Sequence, residues 1–200
     1  MKEASRYFSN DDDVNKLVAD YKDKLIKFNY ETKILEERFD TIISPSVLQA
    51  FYDDNKEQFI LSQAVYRAQL AKINKDHPNK KELYQLWKKN ELPLVWEAAD
   101  SSRMDTTGWI VWSEIAHWSN KFSQKKSNKP SDQRIVNDES EIFLKILERR
   151  AEKEISPLPF VSVQLKQMIL LKRRLELLEK RKDELYNRAL EANQIKIGPQ

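Results

Sequence analysis

The chain has 200 residues, 40% hydrophobic and 34% charged, with a formal net charge of only +3. That length and apolar content suit one or two domains with buried cores, and the near balance of charge argues against a dedicated nucleic-acid binder, whose basic excess would be large. Cysteine is absent and glycine occurs only at Gly108 and Gly198, which excludes disulfides, thiolate catalysis, Cys-bound zinc and Gly-rich phosphate-cradling loops.

Residues 1–10 read as a frayed lead-in without the apolar core of a signal peptide, and no 18-residue apolar run occurs in the chain. Asn10, followed by Asp11, Asp12 and Asp13, predicts a helix start with Asn10 as cap and carboxylates at the positive end of the dipole. The helix is expected to reach Phe39. Along it Val14, Val18, Tyr21, Leu25, Phe28, Thr32, Leu35 and Phe39 alternate four- and three-residue steps, a heptad seam. After a short connection, Ser44-Pro45 reads as N-cap plus first-turn proline, opening a helix to Lys56 with Val47, Leu48, Phe51 and Tyr52 inward. Val65–Ile73 predicts a strand, stopped by the polar run around Pro78. Helices are expected at 80–89 and 94–101, a short strand at Gly108–Trp112, and a helical turn at 113–118. The polar stretch 119–138 reads as a mobile loop. Glu141–Arg149 predicts a strand with Ile142, Leu144 and Ile146 on one face.

Pro157 and Pro159 introduce the last helix, which runs to Ala192. Val161, Leu165, Met168, Leu171, Leu175, Leu178, Leu185 and Ala189 recur on it at helical spacing. A helix this long cannot bury such a stripe against its own neighbours and needs a distant partner. The seam of the first helix is the expected one, so the two ends of the chain should pack together around everything between them.

Candidate chemistry is sparse. His77 precedes a proline in a polar loop and reads as a surface residue. His117, between Ala116 and Trp118, reads as packing. Neither has metal-ligand spacing to a second ligand, so no metal site is expected. Asp53-Asp54 and Glu36-Glu37 read as solvated helix surface. All five tryptophans fall between residues 87 and 118, more than a small domain buries completely, so one or two are expected at a surface groove.

Ser44-Pro45-Ser46-Val47-Leu48-Gln49-Ala50-Phe51-Tyr52, running on to Phe59, resembles the lead-in to the parvulin-like domain in SurA/PpiC-type peptidyl-prolyl isomerase-related periplasmic chaperones. Gly108-Trp109-Ile110 resembles that family's central Gly-Trp, and Glu141–Glu148 its closing strand. Ile155–Val161, followed by Ile169–Arg174, resembles its return helix. The resemblance implies an α+β fold: long N- and C-terminal helices (1–61 and 156–200) forming a SurA-like chaperone module, and an inserted parvulin-like α/β domain (62–155). It also implies the periplasm or cell envelope, with membrane tethering through a removed lipidated N-terminus as one form, and it admits a homodimer. The family's catalytic imidazoles are not matched: Leu70 and Ile142 stand at those positions, so no catalytic residue is assigned and the domain reads as a degenerate isomerase.

The expected function is therefore ATP-independent chaperoning of unfolded or extended exported and outer-membrane polypeptides, with no cofactor. Residual peptidyl-prolyl isomerisation and a structural subunit docking through its long helices are the alternatives. Lys and Arg stems should cover the outer face of the last helix, which leaves a groove for clients. Leu25, Phe28, Phe51, Met168, Leu171 and Leu175 are its expected lining.

Overall fold

In the computed structural model, residues 11–124 and 127–195 are described. The expected lead-in and the Asn10 cap lie outside them. The chain divides into two compact units, one of Ser44–Leu165 and one of the residues up to Ile43 with those from Lys166 onward.

Helix α1 is Asp12–Arg38, α2 Pro45–Asn55, β1 Val65–Asn74, α3 Lys80–Lys89 and α4 Pro93–Ala98. Then come β2 Ser101–Arg103, β3 Ile110–Val111, α5 Trp112–Trp118, β4 Ser131–Val136, β5 Ser140–Arg150 and α6 Leu158–Glu191. Ser44 caps α2 as expected, its hydroxyl accepting from Val47 N. The strands form one antiparallel sheet in the order β2-β1-β5-β4, with β3 also paired to β1. In the β1–β5 pair Arg67 faces Glu148 while Ala68 faces Ile146, which leaves Leu147 as a bulge.

Both faces of this sheet are covered. On one, Tyr66, Ala68, Leu70, Ile142, Leu144 and Ile146 pack with Ile110, Ile115 and Phe122. On the other, Ala71, Ile73 and Phe143 pack under Leu83, Trp87 and Val95 of α3 and α4. β1 and β5 alternate between these two cores, which is why almost every side chain along them is buried. Lys145 is buried among them. Its ammonium donates to Trp87 O at 2.6 Å, a carbonyl in the last turn of α3 that also accepts from Asn90 N at 3.1 Å, where the dipole favours a cation.

The stretch 119–138 is not a loop throughout. Ser131–Val136 is the edge strand β4, paired to β5 from Ser131↔Ile146 to Val136↔Glu141. It carries only two apolar residues because one of its faces is solvated, so its composition looks like a loop. Arg134 on it donates from Nε and Nη2 to Glu141 Oε2 at 2.9 and 2.6 Å.

The chain passes into and out of this sheet at one place. Leu61 N donates to Glu154 O at 2.9 Å, Lys153 N to Leu61 O at 2.8 Å and Ser156 N to Phe59 O at 2.7 Å. Tyr52 on α2 donates its hydroxyl to Ser156 O at 2.7 Å, and burial pushes that hydroxyl above its ordinary pKa.

In the other unit, α1 is capped by Asp11, whose carboxylate accepts from Val14 N at 3.0 Å. Its packing differs from the expectation. Ile34 is its one buried residue. At about 100° per residue, Lys27, Tyr30, Glu31 and Ile34 lie on the side of α1 away from Val18, Tyr21, Leu25 and Phe28. The face set against α6 is thus the half-polar one; of the heptad seam, Val14, Val18, Tyr21, Leu25 and Phe28 are exposed, while Thr32, Leu35 and Phe39 are half-buried. Heptad spacing finds an apolar stripe but does not name its partner; here long charged stems and a tyrosine make the contact instead.

Candidate functional site

The groove between α1 and the part of α6 beyond Lys166 is the best-formed apolar recess in its unit, about 390 Å³. Tyr30 and Ile34 contribute from α1, and Leu175, Leu178 and Leu185 from α6. These are three- and four-residue steps on each helix, so each presents one stripe to the other. The rim is charged with both signs, Lys27 and Glu31 on one side and Glu179, Arg181 and Lys182 on the other.

The rim is held by hydrogen bonds. Arg181 donates from Nε to the Tyr30 hydroxyl at 3.0 Å and from Nη1 to Glu184 at 3.0 Å. The Tyr30 bond, followed by the Glu184 bond, raises the Arg181 pKa further above its ordinary value, and the Arg181 bond holds the Glu184 carboxyl below its own. Past the end of α1, Arg173 Nη1 donates to Asp40 Oδ2 at 3.2 Å and to Ile42 O at 2.7 Å. Arginines of α6 therefore tie it to Tyr30 within the recess and to the chain just past α1, while the floor stays apolar.

The six expected client residues do not form one lining. Leu175 lines the groove. Leu171 and the half-buried Met168 continue the same stripe of α6 toward its start, and Leu171 and Leu175 are 57% and 59% exposed. Leu25 and Phe28 lie on the opposite face of α1, also exposed. Phe51 is half-buried and belongs to the other unit. Sequence reasoning missed Tyr30 and Ile34, because they fall outside the heptad seam. Their signal was present as a second, shorter pair at an i, i+4 step, with Lys27 and Glu31 flanking it.

Leu70 and Ile142 sit side by side on the sheet, since Leu70 pairs with Leu144 and Lys72 with Ile142. Both are enclosed in the core below α5. The place where the resemblance would put imidazoles is filled by packed aliphatic side chains. His117 is exposed in the last turn of α5 rather than packed. His77 Nδ1 accepts from Asn79 N at 3.3 Å, a turn contact. Among the described residues no group of His, Asp or Glu is placed to hold a metal.

Of the tryptophans, Trp87 is fully buried, Trp112 meets Tyr66 edge-on with centroids 5.4 Å apart, and Trp96 is exposed on α4. Trp118 borders a shallow recess with Arg103, Asp105 and Glu114. Beside it, Asp105 Oδ1 accepts from Thr107 N and Oγ1, both at 2.7 Å, and Oδ2 from Gly108 N at 3.1 Å. The Thr107 bonds hold the Asp105 carboxyl below its ordinary pKa. A Cβ on Gly108 would lie 2.6 Å from Asp105 Oδ2 and 2.9 Å from Arg103 Nη2, so a larger residue there would push these two side-chain ends aside.

No helix is long and apolar enough among the described residues to cross a membrane. No family model matches the chain, and no curated protein matches it. Among solved structures it is similar to one reported for PEB4 and Cj1289, two SurA-like chaperones of Campylobacter jejuni, at 14% identity and a TM-score of 0.40, over 100% of this chain and 79% of that one.

Proposed function

We propose that the protein is an ATP-independent chaperone that holds unfolded or extended polypeptides, and that the groove of α1 and α6 is where it holds them. The observation that carries this reading is the open apolar floor of Ile34, Leu175 and Leu178 under a rim of both charge signs. A recess of about 390 Å³ is in the size range of ligand pockets, which run from about 300 to 1,000 Å³, and takes an apolar side chain or two from a client. The long Lys, Arg and Glu rim side chains can rearrange around different sequences, as promiscuous binders require. Leu171 and Met168 extend the floor along α6.

The sequence resemblance supports the same role in the periplasm or cell envelope, for exported or outer-membrane clients. Isomerisation has no support at Leu70 and Ile142, both of them core.

Leu171→Ser and Leu175→Ser test the reading, each followed by thermal unfolding and by suppression of aggregation of a denatured model client. Both residues are exposed, so the melting temperature should hold while protection falls. Full protection by both folded variants would overturn the groove assignment. A chain that protects no client would overturn the chaperone reading and favour a subunit that docks through its helices.

A further inference from the structure

A second recess lies within the Ser44–Leu165 unit, where the chain enters and leaves the sheet. Its volume is about 220 Å³, and no charged residue lines it, although 34% of the chain is charged. Val65 and Val161 are buried at it, with Ile60 and Phe160 exposed beside them. The volume is below the roughly 300 Å³ at which ligand pockets begin, and a lining without charge suits neither a phosphate, a nucleic acid nor a lipid headgroup. It fits one apolar side chain.

The backbone beside the recess identifies what would carry that side chain. Phe59 and Leu61 bond across to Ser156, Glu154 and Lys153, which makes a short two-stranded ribbon. Between them Ile60 is bridged to Ile155 without bonding to it. The N–H and C=O of Ile60 therefore point to the other side of the ribbon, and among the described residues neither has a hydrogen-bond partner. A donor and an acceptor offered together by one strand residue are answered by another backbone in extended form, the basis of strand addition. The edges of the molecule differ in this respect. The sheet's outer strand β4 carries Asp132 and Arg134, charges of the kind that deter a further strand. The run from Gln58 to Gln63 carries none. Gln63 and Gln164 add two side-chain amides to the recess. Gln133 shows what such an amide does: it accepts from Ser123 N at 2.9 Å and donates to Ser123 O at 2.8 Å, standing in for a strand partner.

We propose that this edge takes an extended, uncharged stretch of polypeptide as an added strand, its backbone paired to Ile60 and one apolar side chain in the recess. The proposal rests on the reading that the protein holds extended polypeptides, and it names a second place, and the atoms, by which it does so.

Fluorescence anisotropy of a short, end-capped peptide alternating valine with threonine tests this on the full chain. The plain peptide should bind, and added salt should leave the binding unchanged because no charge lines the recess. In an added strand only every second amide faces Ile60. N-methylation of one alternate set, either the valine or the threonine amides, should therefore weaken binding about tenfold or more, while methylation of the other set leaves it nearly unchanged. No binding of the plain peptide, equal loss from both sets or no loss from either overturns the proposal. Ile60→Lys, at an exposed position and with its melting temperature checked, should weaken binding as well, whereas Leu175→Ser should not. The reverse pattern places the peptide between α1 and α6 and overturns the edge site while the chaperone reading stands. Peptide binding with the methylation pattern, but without protection of a denatured client, supports the edge site and removes the chaperone reading.

Discussion

The sheet unit and the helical unit spend their apolar residues in opposite ways. In the first, Val65, Leu70, Phe143, Leu144 and Trp87 are completely enclosed, and β1 and β5 are covered on both faces. In the second, α1 buries Ile34 alone and leaves Val18, Tyr21 and Phe28 in contact with water, as α6 leaves Leu171 and Leu175. Apolar area exposed on this scale contributes nothing to the stability of its own unit and is available to whatever covers it. The lesson is that stability and recognition are carried by different stretches of one chain, so they should respond to different substitutions.

The sharpest break comes from the sheet. Leu70→His removes a packed leucine and encloses an imidazole among aliphatic neighbours, and it should cost about 3–5 kcal/mol. Chemical denaturation should show it, and isomerase activity should not appear. The matching change on the helices, Tyr21→Ser, should stay within about 0.5 kcal/mol. A comparable loss at both sites would erase the contrast.

Next in size is Lys145→Met, which removes the charged donor from Trp87 O and leaves that carbonyl to Asn90 N alone, at 3.1 Å. It should lose about 1.5–3 kcal/mol, the range for a hydrogen bond to a charged group, partly offset because the buried cation is removed too. Smaller again is Gly108→Ala. Its Cβ displaces the Asp105 carboxylate from the Gly108 amide, so about 1 kcal/mol should be lost, with the sheet otherwise intact by amide exchange.

The smallest effect is a matter of sign. The folded Asp105 carboxyl lies below its ordinary pKa because Thr107 donates to it. Its contribution is therefore present above the ordinary carboxylate value and lost as pH falls through the folded one. Asp105→Asn should destabilise slightly at neutral pH and less in acid. A larger deficit in acid would contradict the turn geometry.

How much of this was legible depended on whether a residue's role was local. β1 and β5 announced themselves through apolar runs, and α2 through Ser44-Pro45. β4 did not, since Ser131, Asp132, Gln133 and Arg134 read as a loop until β5 is set beside them. That Leu70 and Ile142 are aliphatic is plain from the sequence, but only the fold shows that α5 closes over them. For α1 the spacing revealed a stripe, while the side set against α6 was decided by Tyr30, Ile34 and two arginines more than a hundred residues away in sequence. Of the six candidate client residues, Leu175 alone lines the groove. Periodicity along one helix carries no information about the rotation at which another helix meets it.

The clasp formed by Phe59 and Leu61 with Lys153, Glu154 and Ser156 has a mechanical consequence. A pull delivered through α2 on one side and the start of α6 on the other is borne first by these few backbone hydrogen bonds and by that of Tyr52 to Ser156 O. Everything between Leu61 and Lys153 stands outside the load path while they hold. Tension therefore reaches β1 and β5 only after the clasp has parted, and a stretched molecule gives way there before its sheet begins to unravel.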